Sequence, residues 1–125
     1  NYAIYEMLTL CSFGRGLVDR EFLAGALRHA TGMDYTVEDL VTAALRTITL
    51  ERLYNIREGL KPWMDTLPPR FLEEPMPEGP ARGMTVKLWE MVEEAYRALG
   101  WDENGLPTME TLRRLGLEEY RPRMM

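Results

Sequence analysis

The chain has 125 residues and a mass of 14.5 kDa, a size that fits one domain. Its composition, 46% hydrophobic and 28% charged, excludes intrinsic disorder, and its net charge of -5 argues against binding nucleic-acid phosphates. It contains no apolar run of the ~18–20 residues that a membrane-spanning helix requires. Its one cysteine, Cys11, excludes an intrachain disulfide and favours a reducing, cytoplasmic setting.

The first predicted helix spans residues 1–13. Ile4, Leu8 and Cys11 recur at helical spacing and therefore lie on one helical face. Asn1 stands inside this apolar pattern with no capping residue before it. Because a helix that begins in mid-pattern usually continues upstream, we expect the chain to be the carboxy-terminal piece of a longer protein.

Two further helices follow, each with its own start and stop signals. Asp19 is a good N-cap for a second helix that runs to Gly32. Thr36, with Asp39 placed to complete a variant capping box, begins the longest helix, which ends at Gly59.

The segment from Lys61 to Gly83 has a different character. Six of the eight prolines fall in it, namely Pro62, Pro68, Pro69, Pro75, Pro77 and Pro80. Proline blocks the interior of a helix or a central strand, so we predict an extended strap that lies over the domain. Its expected apolar anchors are Trp63, Met64, Leu67, Phe71 and Leu72.

Two more helices complete the chain. One follows Thr85 and ends at Gly100, and a short last helix is capped by Thr108 and ends at Gly116. No alternating apolar pattern of useful length is present. The predicted fold class is therefore all-α: an irregular bundle of about five helices, with the proline-rich strap between the third and fourth, forming one domain over residues 1–125.

Few residues carry the chemistry of an enzyme. His29, near the end of the second helix, is expected in a surface or capping role. The sequence has no phosphate-binding loop, dinucleotide fingerprint or zinc spacing. From spacing alone, Cys11 is more readily a small core residue than a ligand, since an iron–sulfur site needs four thiolates. The acidic pairs are interpreted as solvated faces: Glu73-Glu74, Glu93-Glu94 and Glu118-Glu119.

Three stretches in the second half carry a resemblance to a known family. Residues 51–60 read Glu-Arg-Leu-Tyr-Asn-Ile-Arg-Glu-Gly-Leu, residues 65–70 read Asp-Thr-Leu-Pro-Pro-Arg, and residues 100–108 read Gly-Trp-Asp-Glu-Asn-Gly-Leu-Pro-Thr. Followed by Leu112 to Leu117, they resemble in this order the C-terminal helical domain of tungsten-containing aldehyde:ferredoxin oxidoreductases. The resemblance covers nearly the whole chain.

The resemblance gives residues 6–11, Glu-Met-Leu-Thr-Leu-Cys, the place of the family motif Asp-x-x-Gly-Leu-Cys. It implies that Cys11 is the metal ligand, the fourth thiolate of a [4Fe–4S] cluster whose other three come from a C-x-x-C-x-x-x-C group in an earlier domain. It further implies that the motif lies against the tungsten bis-pterin cofactor, with Glu6 at the position that contacts the pterin. Ser12 and the backbone around Leu10 to Phe13 are expected to donate hydrogen bonds near the cluster. Glu6 replaces the family Asp, and Thr9 replaces the family Gly.

The resemblance also implies an activity for the parent enzyme: oxidation of aldehydes with water to carboxylic acids, with electrons passed through the cluster to ferredoxin. The implied partners are the N-terminal and middle domains, ferredoxin and the aldehyde, with no nucleic acid and no membrane. The chain alone is expected to be catalytically inert, to bind no cofactor and to expose an apolar face. The alternative is a stand-alone helical protein-interaction module derived from this domain, which the departures at Glu6 and Thr9 favour.

The other recurring residues are interpreted as scaffold. Arg57, Glu58 and Arg70 are expected to form an ion-pair network that pins the strap. The three tryptophans are expected in the core: Trp63, Trp89 and Trp101.

Overall fold

The computed structural model describes residues 2–14 and 16–121, and within them the chain is helical, which confirms the all-α class. The α-helices of this part are α1 (Tyr2–Met7), α2 (Arg20–Thr31), α3 (Val37–Arg57), α4 (Pro69–Glu73), α5 (Leu88–Leu99) and α6 (Met109–Leu115). Short 3₁₀ turns lie at Ser12–Gly14, Pro62–Met64 and Glu118–Tyr120. No helix in the described ranges is long and apolar enough to cross a membrane.

The predicted caps of α2 and α3 are confirmed. The backbone N–H of Phe22 donates to Asp19 Oδ1 at 2.8 Å, at the start of α2. At the start of α3, Asp39 N–H donates to Thr36 Oγ1 at 3.1 Å, and Thr36 N–H donates to Asp39 Oδ2 at 2.8 Å. Each cap satisfies backbone donors that the helix itself leaves unpaired, so local sequence sets where these helices begin.

The predicted helix over residues 1–13 is wrong beyond Met7. Leu10 N–H donates to Tyr5 C=O at 2.8 Å and Thr9 N–H to Glu6 C=O at 3.0 Å, which is the hydrogen-bond pattern of a Schellman end. Thr9 has φ of 55°, the left-handed conformation of the residue after the helix. The chain therefore leaves the helix before Cys11.

Helix α3 is shared by two separate hydrophobic clusters. Its first half packs with α1 and α2 in a cluster of Ile4, Tyr5, Leu23, Ala24, Leu40 and Ala44. Its second half packs with α6 in a cluster of Leu53, Leu112, Leu115 and Leu117. The long helix thus connects an amino-terminal and a carboxy-terminal core.

The strap contains more helix than predicted, which brings the α-helices of the described residues to six. Pro69 is the first residue of α4 and Pro62 the first of a 3₁₀ turn. Proline is favoured at a first helical position, where its missing N–H costs no hydrogen bond. The prolines of the strap therefore start short helices as well as blocking long ones.

The expected apolar anchoring of the strap is largely wrong. Trp63 is 70% exposed and Phe71 53% exposed, and Met64 and Leu67 also face solvent. Leu72 alone of the expected anchors is partly buried. The side chains that were expected to fasten the strap instead form part of its outer surface.

The carboxy-terminal elements follow the prediction. Gly100 and Gly116 end α5 and α6 in the left-handed conformation, and the Thr108 side chain caps α6. Trp101 is partly buried, but Trp89 on α5 is 57% exposed, so its predicted core position is wrong. The three acidic pairs are exposed as expected.

Candidate functional site

The first candidate site is the segment around Cys11. Because α1 ends early, Cys11 lies on an irregular turn and not on the apolar face of a helix. Its carbonyl accepts the N–H of Gly14 at 3.0 Å, which closes the 3₁₀ turn after it. The thiol is free and exposed. The interpretation of Cys11 as a small core residue is therefore wrong, and the thiol is placed where a group outside this chain can reach it.

Of the other predicted cofactor-binding residues, Leu10 and Ser12 are adjacent to Cys11 in the chain, and Glu6 lies on α1. Leu10 is 40% exposed next to it in the chain, while Glu6 is exposed one turn earlier on α1. Ser12 begins the 3₁₀ turn, and its side chain lies outside the part of the structure described. Two apolar residues that the sequence did not single out, Phe13 and Leu17, are 97% and 84% exposed. Cys11 is therefore flanked by apolar side chains that face water.

The available ligand side chains determine which metal group the segment around Cys11 can bind. Across residues 2–14 and 16–121, no group of three or more His, Cys, Asp or Glu side chains is arranged to hold a metal ion. Cys11 can supply one soft thiolate, and a four-iron cluster requires four ligands. The residues present therefore fit one ligand of a shared cluster and do not fit a cluster held by this chain alone.

A second candidate site is a buried ionic junction, which we define as Arg52, Asp65, Tyr96 and Gly105. Arg52 on α3 is 7% exposed. Its Nη1 and Nη2 donate to Asp65 Oδ1 and Oδ2 at 2.8 and 2.6 Å, and its Nε donates to the Gly105 carbonyl at 2.8 Å. Arg52 Nη2 also donates to the Tyr96 hydroxyl at 3.2 Å, and that hydroxyl donates to Asp65. The guanidinium thus joins α3, the strap, α5 and the turn before α6.

The protonation states of the junction follow from these contacts. The hydrogen bonds from Arg52 lower the pKa of Asp65, against the opposing effect of burial. Burial by itself lowers the pKa of Arg52, but the hydrogen bonds and charge of Asp65 outweigh it and raise that pKa overall. Burial, followed by the hydrogen bond to Asp65, raises the pKa of Tyr96. Near neutral pH the junction is therefore a charged pair with a neutral phenol.

Gly105 is required at the junction for two reasons. Its φ is 70°, a conformation that other residues rarely adopt. A Cβ at this position would also meet Arg52 Nη2 and lie 2.6 Å from Tyr96 Cζ. The guanidinium carbon is further packed 5.2 Å from the ring centre of Trp101 and 5.5 Å from that of Tyr96, within the range of cation–π attraction.

The predicted ion-pair network of Arg57, Glu58 and Arg70 is wrong. Arg57 pairs with its neighbour Glu58 at 3.0 Å, and Arg70 pairs with Glu74 at 3.3 Å, in two separate exposed contacts. Exposed pairs contribute little to stability, so neither fastens the strap. Asp65 pinned by Arg52 does so instead.

The sequence did carry a signal for this junction. Arg52 lies one residue before Leu53, inside the stripe of α3 that turns towards the core. A charged residue at a core position needs a buried partner of opposite charge. His29, in contrast, is exposed in the last turn of α2, in agreement with the predicted surface role.

The junction brings together the three stretches on which the family resemblance rests. Arg52 comes from residues 51–60, Asp65 from residues 65–70, and Gly105 from residues 100–108. Segments that are distant in the chain thus meet at one guanidinium. This contact gives a physical reason for the three stretches to occur together.

Comparison with known proteins agrees with the resemblance. Residues 1–117 match the family model described as aldehyde ferredoxin oxidoreductase, domains 2 & 3. The chain is 44% identical over 122 residues to the tungsten-containing aldehyde ferredoxin oxidoreductase of Pyrococcus furiosus, and 41% identical over 119 residues to that of Pyrococcus horikoshii. Each alignment covers 94% of this chain and 20% of the relative, so the chain spans about one fifth of their length.

The fold is similar to that of a solved structure. It superposes with a TM-score of 0.75 and 25% identity on the active site complex BamBC of benzoyl coenzyme A reductase in complex with 1,5-dienoyl-CoA. That match covers 95% of this chain and 18% of the other. With the family model matching nearly its whole length, this chain belongs to the aldehyde ferredoxin oxidoreductase family.

Proposed function

We propose that residues 1–125 are the C-terminal helical domain of a tungsten-dependent aldehyde:ferredoxin oxidoreductase that acts in the reducing cytoplasm. The parent enzyme oxidises an aldehyde with water to a carboxylate and delivers the electrons to ferredoxin. The observation that carries the proposal is an exposed free thiol, Cys11, at the motif position of a chain that matches the family model. The N-terminal and middle domains, which supply the remaining cofactor ligands, are its partners.

In this proposal Cys11 is one thiolate ligand of a [4Fe–4S] cluster. When bound beside it, the tungsten bis-pterin would supply the two-electron oxidation chemistry, and the cluster that Cys11 would help to hold would supply a path for the electrons. The chain itself contributes no catalytic residue. The turn that presents Cys11 is fixed at both sides, by the Schellman end of α1 before it and by the bond from Gly14 to its carbonyl after it. A fixed backbone holds the exposed sulfur in one position, which suits a ligand that must meet groups from another domain.

The apolar side chains near Cys11 are proposed to exclude water from the cluster. Leu10, Phe13 and Leu17 are exposed in this chain and would be covered where another domain brings the other cluster ligands. Covering them removes water from the cluster, and solvent exclusion together with hydrogen bonds to sulfur sets the reduction potential. Ser12 is proposed as one such donor.

Glu6 is proposed to accept hydrogen bonds from N–H groups of the pterin. Its side chain is exposed on α1, five residues before Cys11, and has no hydrogen-bond or ion-pair partner among the described residues. A Glu side chain is one methylene longer than Asp and reaches the same acceptor position by a different rotamer. Glu6 therefore acts in binding the cofactor and moves no proton in the reaction.

The test is the substitution Cys11→Ala in the intact parent enzyme. We expect loss of the cluster, seen as reduced iron per protein and loss of its electron paramagnetic resonance signal, together with loss of ferredoxin reduction. His29→Ala, an exposed change on α2, serves as the matched control and should leave both unchanged. Far-UV circular dichroism of each variant separates loss of iron from loss of fold.

Unchanged iron content in a folded Cys11→Ala parent would reject the ligand role. The leading function would then be the alternative, a helical protein-interaction module derived from the family domain. The same alternative leads if the coding frame that contains this chain has no C-x-x-C-x-x-x-C group to complete a four-thiolate site.

A further inference from the structure

The turn before α6 contains an asparagine that is directly followed by a glycine, Asn104-Gly105. Asparagine is a thermolabile residue, and in this pair the glycine nitrogen attacks the side-chain amide carbon without hindrance, since glycine has no Cβ. Asn104 is exposed, and its side-chain amide has no hydrogen-bond partner among the described residues. The amide is therefore accessible to water and able to turn towards the Gly105 nitrogen.

The packing of the junction requires glycine at position 105, because a Cβ there would lie 2.6 Å from Tyr96 Cζ. The same missing side chain leaves the Gly105 nitrogen unhindered as a nucleophile. A structural requirement of the junction thus creates a labile amide one residue earlier in the chain. Asn55, by comparison, lies inside α3 and is followed by the β-branched Ile56, which hinders the same attack.

The reaction at this amide needs water as its only co-reactant. The Gly105 nitrogen loses its proton and bonds to Asn104 Cγ, the Cγ–Nδ2 bond breaks, and ammonia leaves with that proton. Water then opens the resulting succinimide ring at one of its two carbonyls, which gives aspartate or isoaspartate at position 104. Water is consumed and ammonia is released, and no atom is oxidised or reduced.

In the folded chain, hydrogen bonds occupy the backbone on both sides of this reaction. The Gly105 N–H donates to the Asp102 carbonyl at 2.9 Å, and the Gly105 carbonyl accepts from Arg52 Nε at 2.8 Å. Asp102 Oδ1 also accepts the N–H groups of Asn104 and Leu106, at 2.9 Å each. Because ring closure requires the Gly105 nitrogen to leave the Asp102 carbonyl and the peptide to rotate, these hydrogen bonds must break first.

We propose that Asn104 is a deamidation site whose reaction is controlled by the junction. While Arg52 holds the Gly105 carbonyl, the turn keeps its conformation and the amide survives. When the junction opens, the turn is released and Asn104 is converted to aspartate or isoaspartate. Isoaspartate adds a methylene group to the main chain directly before Gly105, which displaces the Gly105 carbonyl from Arg52 Nε and makes the opening permanent. This inference does not depend on the proposed function.

The test is peptide mass spectrometry of the intact polypeptide that contains this chain, after incubation at mildly alkaline pH, where the Gly105 N–H is lost faster. Trypsin releases residues 98–113, in which conversion of Asn104 appears as the mass difference between an amide –NH₂ and an acid –OH. We expect the folded protein to deamidate at Asn104 several-fold more slowly than the urea-unfolded protein. Equal rates in the two states would overturn the proposal.

The substitution Arg52→Lys tests the role of the junction. It retains a positive charge beside Asp65, but a lysine ammonium lacks the planar fork that donates to both carboxylate oxygens and to the Gly105 carbonyl at once. We expect deamidation at Asn104 to become several-fold faster in the folded variant, with unchanged circular dichroism. Leu40→Ala, in the other hydrophobic cluster, is the matched control and should leave that rate unchanged.

Two results would overturn control by the junction. An equal acceleration in Leu40→Ala would show that the reaction follows global unfolding, and an unchanged rate in folded Arg52→Lys would show that the guanidinium does not protect the amide. If Arg52→Lys does not fold, the double variant Arg52→Met with Asp65→Leu takes its place with the same expected acceleration, since it buries no unpaired charge. Asn55 in α3 is the internal reference, and its amide should stay intact in every folded variant.

Discussion

The two halves of α3 are stabilised in different ways. In the first half, Leu40 and Ala44 belong to a cluster of buried apolar side chains that also includes Tyr5. Partly buried apolar side chains surround this cluster. The second half carries Arg52, whose guanidinium binds a carboxylate, a phenol and a backbone carbonyl. Hydrophobic contacts are non-directional, whereas a bidentate ion pair fixes geometry. Hydrophobic packing therefore stabilises both halves of α3, and the ion pair in the second half additionally specifies where the strap lies.

The largest predicted effect is that of Asp65→Asn. It leaves the buried guanidinium of Arg52 without a counter-charge, which typically costs about 3–5 kcal/mol of unfolding free energy. Leu40→Ala in the apolar half is the comparator, with an expected loss of about 2–5 kcal/mol through lost burial and a cavity. Urea unfolding followed by circular dichroism measures both.

The expected stability losses of Asp65→Asn and Leu40→Ala overlap. A double variant is therefore needed to separate the effect of an unpaired buried charge from that of lost hydrophobic packing. In Arg52→Met with Asp65→Leu, no charge is left buried, and the stability lost in Asp65→Asn should return largely or completely. The strap should nevertheless lose its fixed position, which would appear as faster hydrogen exchange of the backbone amides of residues 61–83. A double variant as unstable as Asp65→Asn would show that the ion pair itself supplies the stability, and the comparison between the two halves would fail.

A smaller effect is expected from pH. The hydrogen bonds from Arg52 lower the folded-state pKa of Asp65, so its contribution is present above the unfolded value of about 3.9 and is lost as pH falls through the lowered pKa. Burial raises the pKa of Tyr96, whose contribution is present below about pH 10 and is lost as pH rises through the raised pKa.

Urea titrations below pH 4 measure the acid side of this prediction. The stability difference between the natural chain and Asp65→Asn should narrow there, because a protonated Asp65 no longer balances the charge of Arg52. The Leu40→Ala difference should stay constant over the same range. A pH-independent difference for Asp65→Asn would show that folding does not lower the pKa of Asp65.

The success of sequence-based prediction also differs between the local and the long-range features. Asp19, Thr36 and Gly100 act within one helical turn, so the ends of α2, α3 and α5 were predictable from neighbouring residues. The junction joins Arg52 to Asp65 and Gly105, which are 13 and 53 residues away in the chain. A local sequence pattern does not show which distant residues will be partners. The exposure of Leu10 and Phe13 was equally hidden, because the sequence predicted one continuous helix with an apolar face over residues 1–13.

The roles assigned to Glu6, Leu10, Cys11 and Ser12 remain predictions that come from the family resemblance. What the structure adds is physical: a free thiol on an exposed turn outside the helix. The end of α1 was mispredicted because Thr is an unfavourable residue for the conformation found at position 9.

The smallest predicted effect on stability comes from removing the backbone strain at Thr9. Thr9 adopts φ of 55°, where a β-branched residue is strained by about 1–2 kcal/mol. Thr9→Gly removes the strain but adds about 0.4–1 kcal/mol of unfolded-chain entropy, so a net gain in stability of about 0.5–1 kcal/mol is expected. Thr42→Gly, an exposed site inside α3, is the matched control and should lose about 0.3 kcal/mol, the difference between the helix propensities of Thr and Gly.

Opposite signs for these two Thr→Gly changes would establish the left-handed turn that ends α1. A loss of stability in both would mean that Thr9 is helical, and Cys11 would return to the apolar face of a longer helix. The same turn determines both the stability change of Thr9→Gly and the exposure of the Cys11 thiol, because the thiol is exposed only if α1 ends before it. In the parent enzyme, Thr9→Gly should retain iron, since it restores the residue that the family motif has at this position and leaves the thiolate in place.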